Sequence, residues 1–385
     1  MDKLFFTDEH IMIRDMVREF ADTEITPVAR ELDEQGEFPT ALVNKMGELG
    51  LMGILIPEEY GGSGLDMVAF ATAIIELARA DASVAITMAA HTSLGSLPIL
   101  MFGSDEQKNT YLPKLATGEM LGAFGLTEPD AGSDAGATKT KAVRDGNEYV
   151  VNGGKIFITN AGKAGVLSFT SQVIDNGKNL GIAAFSISTN TPGLEIGPKE
   201  KKMGWRASDT RQLFFKDMRI QATSMLGTPA NGFKTFLKTL TSGRVSIGAL
   251  SIGTALGAYE RALAYSTERI AFGKPINNFQ SVGFKLADMA TKIEASKLLV
   301  FHAAWMKDQG LDITKEAAMA KLFASETAME VTTEAIQIHG GYGYVKEYDV
   351  ERFFRDAKIL EIGEGTSEIQ RLIISREILK EIQIL

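Results

Sequence analysis

Apolar residues recur at helical spacing near both ends of the chain and alternate in short runs through its middle. Near the N-terminus, Ile13, Met16, Val17 and Phe20 share one helical face. Thr7 suits the N-cap, and Asp8 and Glu9 suit a first turn whose free N–H groups favour negative charge. Towards the C-terminus, Phe233, Phe236, Leu237 and Leu240 fall at i, i+3, i+4 and i+7, and Leu286, Met289 and Ile293 repeat the pattern in the next helix. No proline follows Pro275. An interior proline costs a helix about 3 kcal/mol, so this proline-free stretch to Leu385 reads as helical.

The middle differs. From about Leu121 to Leu226 the text reads as short strands, such as Tyr149–Thr159 and Gly181–Ile187. Asp145-Gly146-Asn147 and Asp175-Asn176-Gly177 are turn signals between them. The order is helices, strands, helices, which is not the alternation of a doubly wound α/β fold. No glycine-rich dinucleotide or phosphate-loop motif appears, so nicotinamide and nucleoside-triphosphate readings are unsupported.

Composition narrows the function classes. A chain of 385 residues holds two or three domains. Its 45% hydrophobic content fits a soluble globular protein. The net charge of −9 and the lack of a basic stripe argue against nucleic acid. No apolar run is expected to be long enough to span a membrane. The opening Met1-Asp2-Lys3-Leu4 has no export signal, so a cytoplasmic, bacterial-type chain is expected. There are no cysteines, and His10, His91, His302 and His339 have no ligand spacing, so no metal is expected.

The candidate chemistry centres on Ile362-Gly363-Glu364-Gly365-Thr366-Ser367-Glu368-Ile369-Gln370-Arg371. One carboxylate, Glu364, stands between two glycines that allow close approach of a ligand. Ser367 and Gln370 read as a capping-box pair opening the last helix. Further segments lie upstream in order: Phe124–Asp134 (FGLTEPDAGSD), Lys155–Asn160 (KIFITN), Glu268–Pro275 (ERIAFGKP), Gln337–Tyr344 (QIHGGYGY) and Arg355–Lys358 (RDAK). Together they resemble the acyl-CoA dehydrogenase family along essentially the whole chain, most like the short-chain, butyryl-CoA type.

That resemblance implies an α+β fold: an N-terminal helical domain over 1–120, a middle small β-barrel domain over 121–230 and a C-terminal four-helix bundle over 231–385. It implies FAD, an acyl-CoA substrate, electron-transferring flavoprotein as partner and a homotetramer. Glu364 would take the α-proton of an acyl thioester while the flavin accepts hydride from the β-carbon, with the thioester carbonyl polarised by a backbone N–H and a flavin hydroxyl. An apolar pocket would raise the pKa of Glu364, and the nearby helix N-terminus would lower it. Leu126, Thr127, Phe157 and Thr159 resemble the residues around the flavin ring. Arg269, Phe272 and Gln280 resemble residues reaching the cofactor from a neighbouring subunit. Gln337, Gly340 and Gly341 resemble a clamp on its diphosphate part, and Thr366 and Glu368 the last flavin contacts.

On the substrate side the resemblance assigns Ser133 and Arg244 to the CoA arm, with Thr241 where the family often has an acid three residues before the arginine. Residue 243, which carries the base in some branches, is glycine. Ala90, Leu94, Gly363 and Gly365 resemble the acyl-pocket lining. Ala85 stands where glutaryl-CoA enzymes have an arginine, and Gly363 where many straight-chain enzymes have tyrosine. Gly363 either widens the pocket for branched or cyclic groups or meets a backbone need for positive φ. An oxygen-using, oxidase-like relative and a non-enzymatic helical protein on the same fold are the alternatives.

Overall fold

The computed structural model describes residues 2–228 and 232–384. The N-terminal part is helical. In the helix Asp8–Phe20, Thr7 accepts a hydrogen bond from the His10 backbone N–H, and Ile13, Val17 and Phe20 are buried. The helix Met67–Ala80 is buried along its whole length. It is followed by Ala82–Ala90, a π-helical turn His91–Ser96 and Leu97–Phe102. This last run corrects the membrane expectation. Ala82–Phe102 is long and apolar enough to cross a membrane, but 83% of its apolar 18-residue window is buried inside the fold. A helix apolar all round is what a core position demands.

Eight strands follow: β1 (Leu121–Gly125), β2 (Lys141–Asp145), β3 (Glu148–Thr159), β4 (Ala164–Asp175), β5 (Lys178–Ser188), β6 (Leu194–Lys199), β7 (Thr210–Gln221) and β8 (Met225–Leu226). They form one sheet in the order β6-β7-β3-β2-β4-β5-β8, with β1 parallel to the first half of β4 (Leu121 opposite Ala164) and β2 parallel to its second half (Lys141 opposite Gln172). The sheet curls on itself. Phe169 of β4 and Phe215 of β7 are not on neighbouring strands, yet their rings lie 4.8 Å apart. No ladder joins β6 to β8 among the described residues, so the barrel-like layer is open at that seam.

A buried ion pair fastens the end of β1. Lys155 is wholly buried and donates to Glu128 at 2.7 Å and to the Leu126 carbonyl at 3.2 Å. Glu128 also accepts from the backbone N–H groups of Lys139 and Thr140, closing the loop that carries Ser133. Burial opposes its charge, but the Lys155 cation and these hydrogen bonds hold its carboxyl down at about 2. Glu128→Gln leaves an unpaired buried ammonium, and such losses run to about 3–5 kcal/mol. We therefore expect a clear drop in the urea unfolding midpoint, largely recovered in Glu128→Leu/Lys155→Met. A single variant as stable as wild type would remove the clasp from the account.

The C-terminal part packs four long helices: Gly232–Glu268, Gln280–Asp308, Thr314–His339 and Ser367–Ile384. Leu286, Met289 and Ile293 are buried as the spacing predicts. The side chains of Phe233 and Phe236 lie outside the described residues. On the same expected face, Leu240 packs near Phe124 and Leu226, but Leu237 is 41% exposed, so that stripe is only partly covered within one chain. The two helical parts share a single core running from Ile13 to Leu360. Arg352 also joins them, donating to Asp81 at 2.7 Å with both side chains almost fully buried.

Candidate active site

Glu364 sits in the turn between the short 3₁₀ segment Lys358–Glu361 and the helix Ser367–Ile384. Its φ is +53°, a left-handed conformation that a residue with a side chain rarely adopts. Such strain costs of order 1–3 kcal/mol and persists where the surroundings enforce it. Gly365 follows at φ +97°, and a Cβ there would lie 2.7 Å from Gln370 Nε2. The cap differs from the expected one. Thr366, not Ser367, receives the Ile369 N–H, at 3.3 Å, because the helix starts one residue earlier than the pattern suggested. Gln370 is buried and donates to the Gly365 carbonyl at 2.8 Å instead of closing a box.

The Glu364 residue keeps partial exposure, but its Oε2 is sealed from solvent and has no hydrogen-bond partner. That oxygen lies against Gly243 of the long helix Gly232–Glu268. A Cβ at 243 would stand 2.1 Å from it and 3.4 Å from Leu94, so glycine there is what makes room for the carboxylate. Burial pushes the Glu364 carboxyl up to about 7. The opposing influences are the cations Lys321 and Arg244, where the sequence had pointed to the helix N-terminus. Arg244 is nearly buried, its Nε has no partner, and its bond to Thr241 is long at 3.4 Å.

Of the expected acyl-pocket residues, Gly363 and Gly365 flank Glu364 in the chain, and Leu94 comes close to its carboxylate at Gly243. Ala85 and Ala90 are buried, and Leu94, like Leu126 and Leu240, packs against the small core of Phe124, Ala184 and Leu226. Gly363 resolves the open choice about its backbone. Its φ is not left-handed, and a Cβ would meet only Ile359, at 3.4 Å or more. The glycine therefore leaves space and is not required by its backbone.

The expected flavin residues form two groups. Leu126 and Thr127 continue from β1, and the Thr127 carbonyl accepts from the Ile156 N–H at 2.9 Å. A bulge between Lys155 and Ile158 puts Phe157 at φ +62° and turns its ring outward, 64% exposed. Thr159 follows on β3, paired with Thr210. An exposed aromatic plane beside a strand end suits a flat ring system. The second group stands at the ends of the C-terminal helices: Arg269, Phe272, Gln280, Gln337, Gly340 and Gly341 are all exposed. Phe272 is 95% exposed, and a Cβ at Gly340 or Gly341 would meet nothing within 4 Å. A surface cleft of about 480 Å³ gathers Arg269, Tyr265, Gly340, Gly341 and Tyr342; Glu364 does not line it. Thr366 is half-buried and Glu368 exposed, its carboxyl held below the ordinary value by the helix-start amide and the Thr366 hydroxyl. Ser133 is exposed on its loop.

The acyl-CoA dehydrogenase N-terminal, middle and C-terminal domain models match residues 7–119, 123–218 and 230–379. The chain belongs to the acyl-CoA dehydrogenase family. A Bacillus subtilis protein named as a probable acyl-CoA dehydrogenase is 54% identical, covering 97% of this chain and 99% of its own. The short-chain specific acyl-CoA dehydrogenase of Clostridium acetobutylicum is 46% identical, with 97% and 99% coverage. The solved butyryl-CoA dehydrogenase of Megasphaera elsdenii is 43% identical with a TM-score of 0.94, covering 97% of this chain and 98% of that one.

The chain is thus an acyl-CoA dehydrogenase, an oxidoreductase acting on a CH–CH group, and is similar to relatives named for short-chain substrates. One charged residue of its site escaped sequence reading. Lys321 of the helix Thr314–His339 is wholly buried and donates to the Gly365 carbonyl at 2.8 Å. The signal was a lone lysine after Ala317-Ala318-Met319-Ala320, a run too apolar for a solvated face.

Proposed function

We propose that this chain dehydrogenates a short, uncharged acyl-CoA thioester to the trans-2-enoyl product, with branched acyl groups accepted, and passes the electrons to electron-transferring flavoprotein. The observation that carries this reading is the Glu364 carboxylate, dry on one oxygen and seated in the space left by Gly243. A base of this kind must be near neutral in pKa and shielded from water, and burial has brought Glu364 to about 7.

FAD is the cofactor, and when bound it supplies the hydride acceptor. Leu126, Thr127, Phe157 and Thr159 would hold its ring. Arg269, Phe272 and Gln280 would serve the flavin of a neighbouring subunit in a homotetramer, with Gln337, Gly340 and Gly341 along the diphosphate. Thr366 and Glu368 would make the last contacts. The open faces of Gly340 and Gly341 and the exposed rings of Phe157 and Phe272 support that placement. Ser133 and Arg244 would meet the CoA arm. Ala90, Leu94, Gly363 and Gly365 would surround the acyl end, with Glu364 positioned to take the α-proton.

The purified protein should be yellow and hold about one non-covalent FAD per chain, as the exposed aromatic planes and open glycines imply. An anaerobic panel of acyl-CoAs should bleach the flavin with short, uncharged chains. A colourless protein that FAD does not reconstitute would sink the proposal, and rapid oxygen consumption during turnover would favour the oxidase alternative.

A further inference from the structure

One buried charge has no part in the scheme above. Lys321 is wholly buried in a helix whose nearby positions are Ala317, Ala318, Ala320 and Ala324. It forms no ion pair among the described residues; its hydrogen bond goes to the Gly365 carbonyl at 2.8 Å. That carbonyl also accepts from Gln370 Nε2 at 2.8 Å, so a neutral side chain at 321 would still leave it satisfied. Burying an ammonium without a carboxylate partner is unfavourable by several kcal/mol. The charge itself, more than the hydrogen bond, therefore needs an explanation.

The charged groups facing Lys321 are Glu364, Glu361, Glu326 and Arg244. Glu361 is paired with Lys358 at 2.6 Å, and Glu326 with Arg371 at 2.6 Å. Glu364 alone among these carboxylates has a buried oxygen with no hydrogen-bond partner. The groups that act on Glu364 in return are Lys321 and Arg244. In the proposed function Arg244 meets the CoA arm, which leaves Lys321 as the cation devoted to the turn at Glu364.

We propose that Lys321 is a positioning residue for the base: its ammonium, seated on the Gly365 carbonyl, holds the Glu364 turn and favours the charged form of the carboxylate. This rests on Glu364 being the base. Burial brings Lys321 down only to about 8, so it is still protonated at pH 7. A nearby cation favours the anion, so removing it makes the carboxyl harder to ionise.

Three variants separate charge from structure. Lys321→Met removes charge and donor, Lys321→Gln keeps a donor without the charge, and Lys321→Arg keeps the charge. Infrared difference titration follows the Glu364 carboxyl directly, its band identified by its loss in Glu364→Gln. Single-turnover flavin reduction is measured across pH alongside. Both neutral variants should move the Glu364 midpoint up by about one pH unit and slow reduction about tenfold at pH 6, with recovery at higher pH. Lys321→Arg should stay close to wild type. An unmoved midpoint, a rate loss equal at every pH, or failure of both neutral variants to fold and hold FAD would assign Lys321 to structure alone and overturn the proposal. If instead Glu364→Gln reduces flavin at the wild-type rate, the base assignment fails whatever Lys321 does.

Discussion

Glu364→Gln should slow flavin reduction by at least about 100-fold, the lower range for loss of a general base. The amide has the same shape as the carboxyl and fits the space beside Gly243. Oε2 has no donor or acceptor partner, so an amide there creates no new clash of hydrogen-bonding groups. FAD content and fold should therefore be nearly unchanged. The pH dependence adds a second signature. Burial raises the carboxyl from 4.5 to about 7, so below that pH it carries the proton it is meant to accept. Wild-type reduction should rise with pH through about 7, and the variant should lack that limb. Anaerobic stopped-flow measurement with the best acyl-CoA decides the matter, and wild-type rates in the variant would place the base elsewhere.

Gly363→Tyr should penalise branched or cyclic acyl groups roughly 10- to 200-fold relative to butyryl-CoA, since a methyl-sized clash or lost contact is worth about 1–3 kcal/mol. The structure removes the main obstacle to this test. Gly363 is outside the left-handed region, and the first atom of a new side chain meets only Ile359 at ordinary contact distance. The substitution therefore tests the pocket and leaves the backbone unstrained. Ala85 and Ala90 are buried and offer no charge to a distal carboxylate, whose desolvation would go uncompensated. Comparing kcat/KM for butyryl-, isovaleryl- and glutaryl-CoA in both proteins reads the effect. Glutaryl-CoA as the best substrate of the unmutated enzyme would show that another cation reaches the tail.

Much of this was legible in the chain itself. Period and proline placement marked the helical ends, because Ile13, Val17, Phe20, Leu286, Met289 and Ile293 must each bury one face of a helix. Turn chemistry marked the strand ends at Gly146 and Gly177, where the backbone takes positive φ. The separated motifs identified the family and singled out Glu364. What remained hidden depended on neighbours far apart in sequence. Ala82–Phe102 had to be seen inside the fold before its apolarity could be read as core. The outward turn of Phe157 follows from a bulge set by pairing with β7, more than fifty residues later in the chain. Gly243 and Glu364 become one feature only when the long helix passes behind the turn. Lys321 shows the same limit: a charge in an alanine-rich helix is unremarkable until packing removes its water and leaves a glutamate without a partner nearby. Local pattern carries propensity and burial, because those are set within a few residues; the poise of a base is set by desolvation and by charges that only the tertiary structure brings within reach.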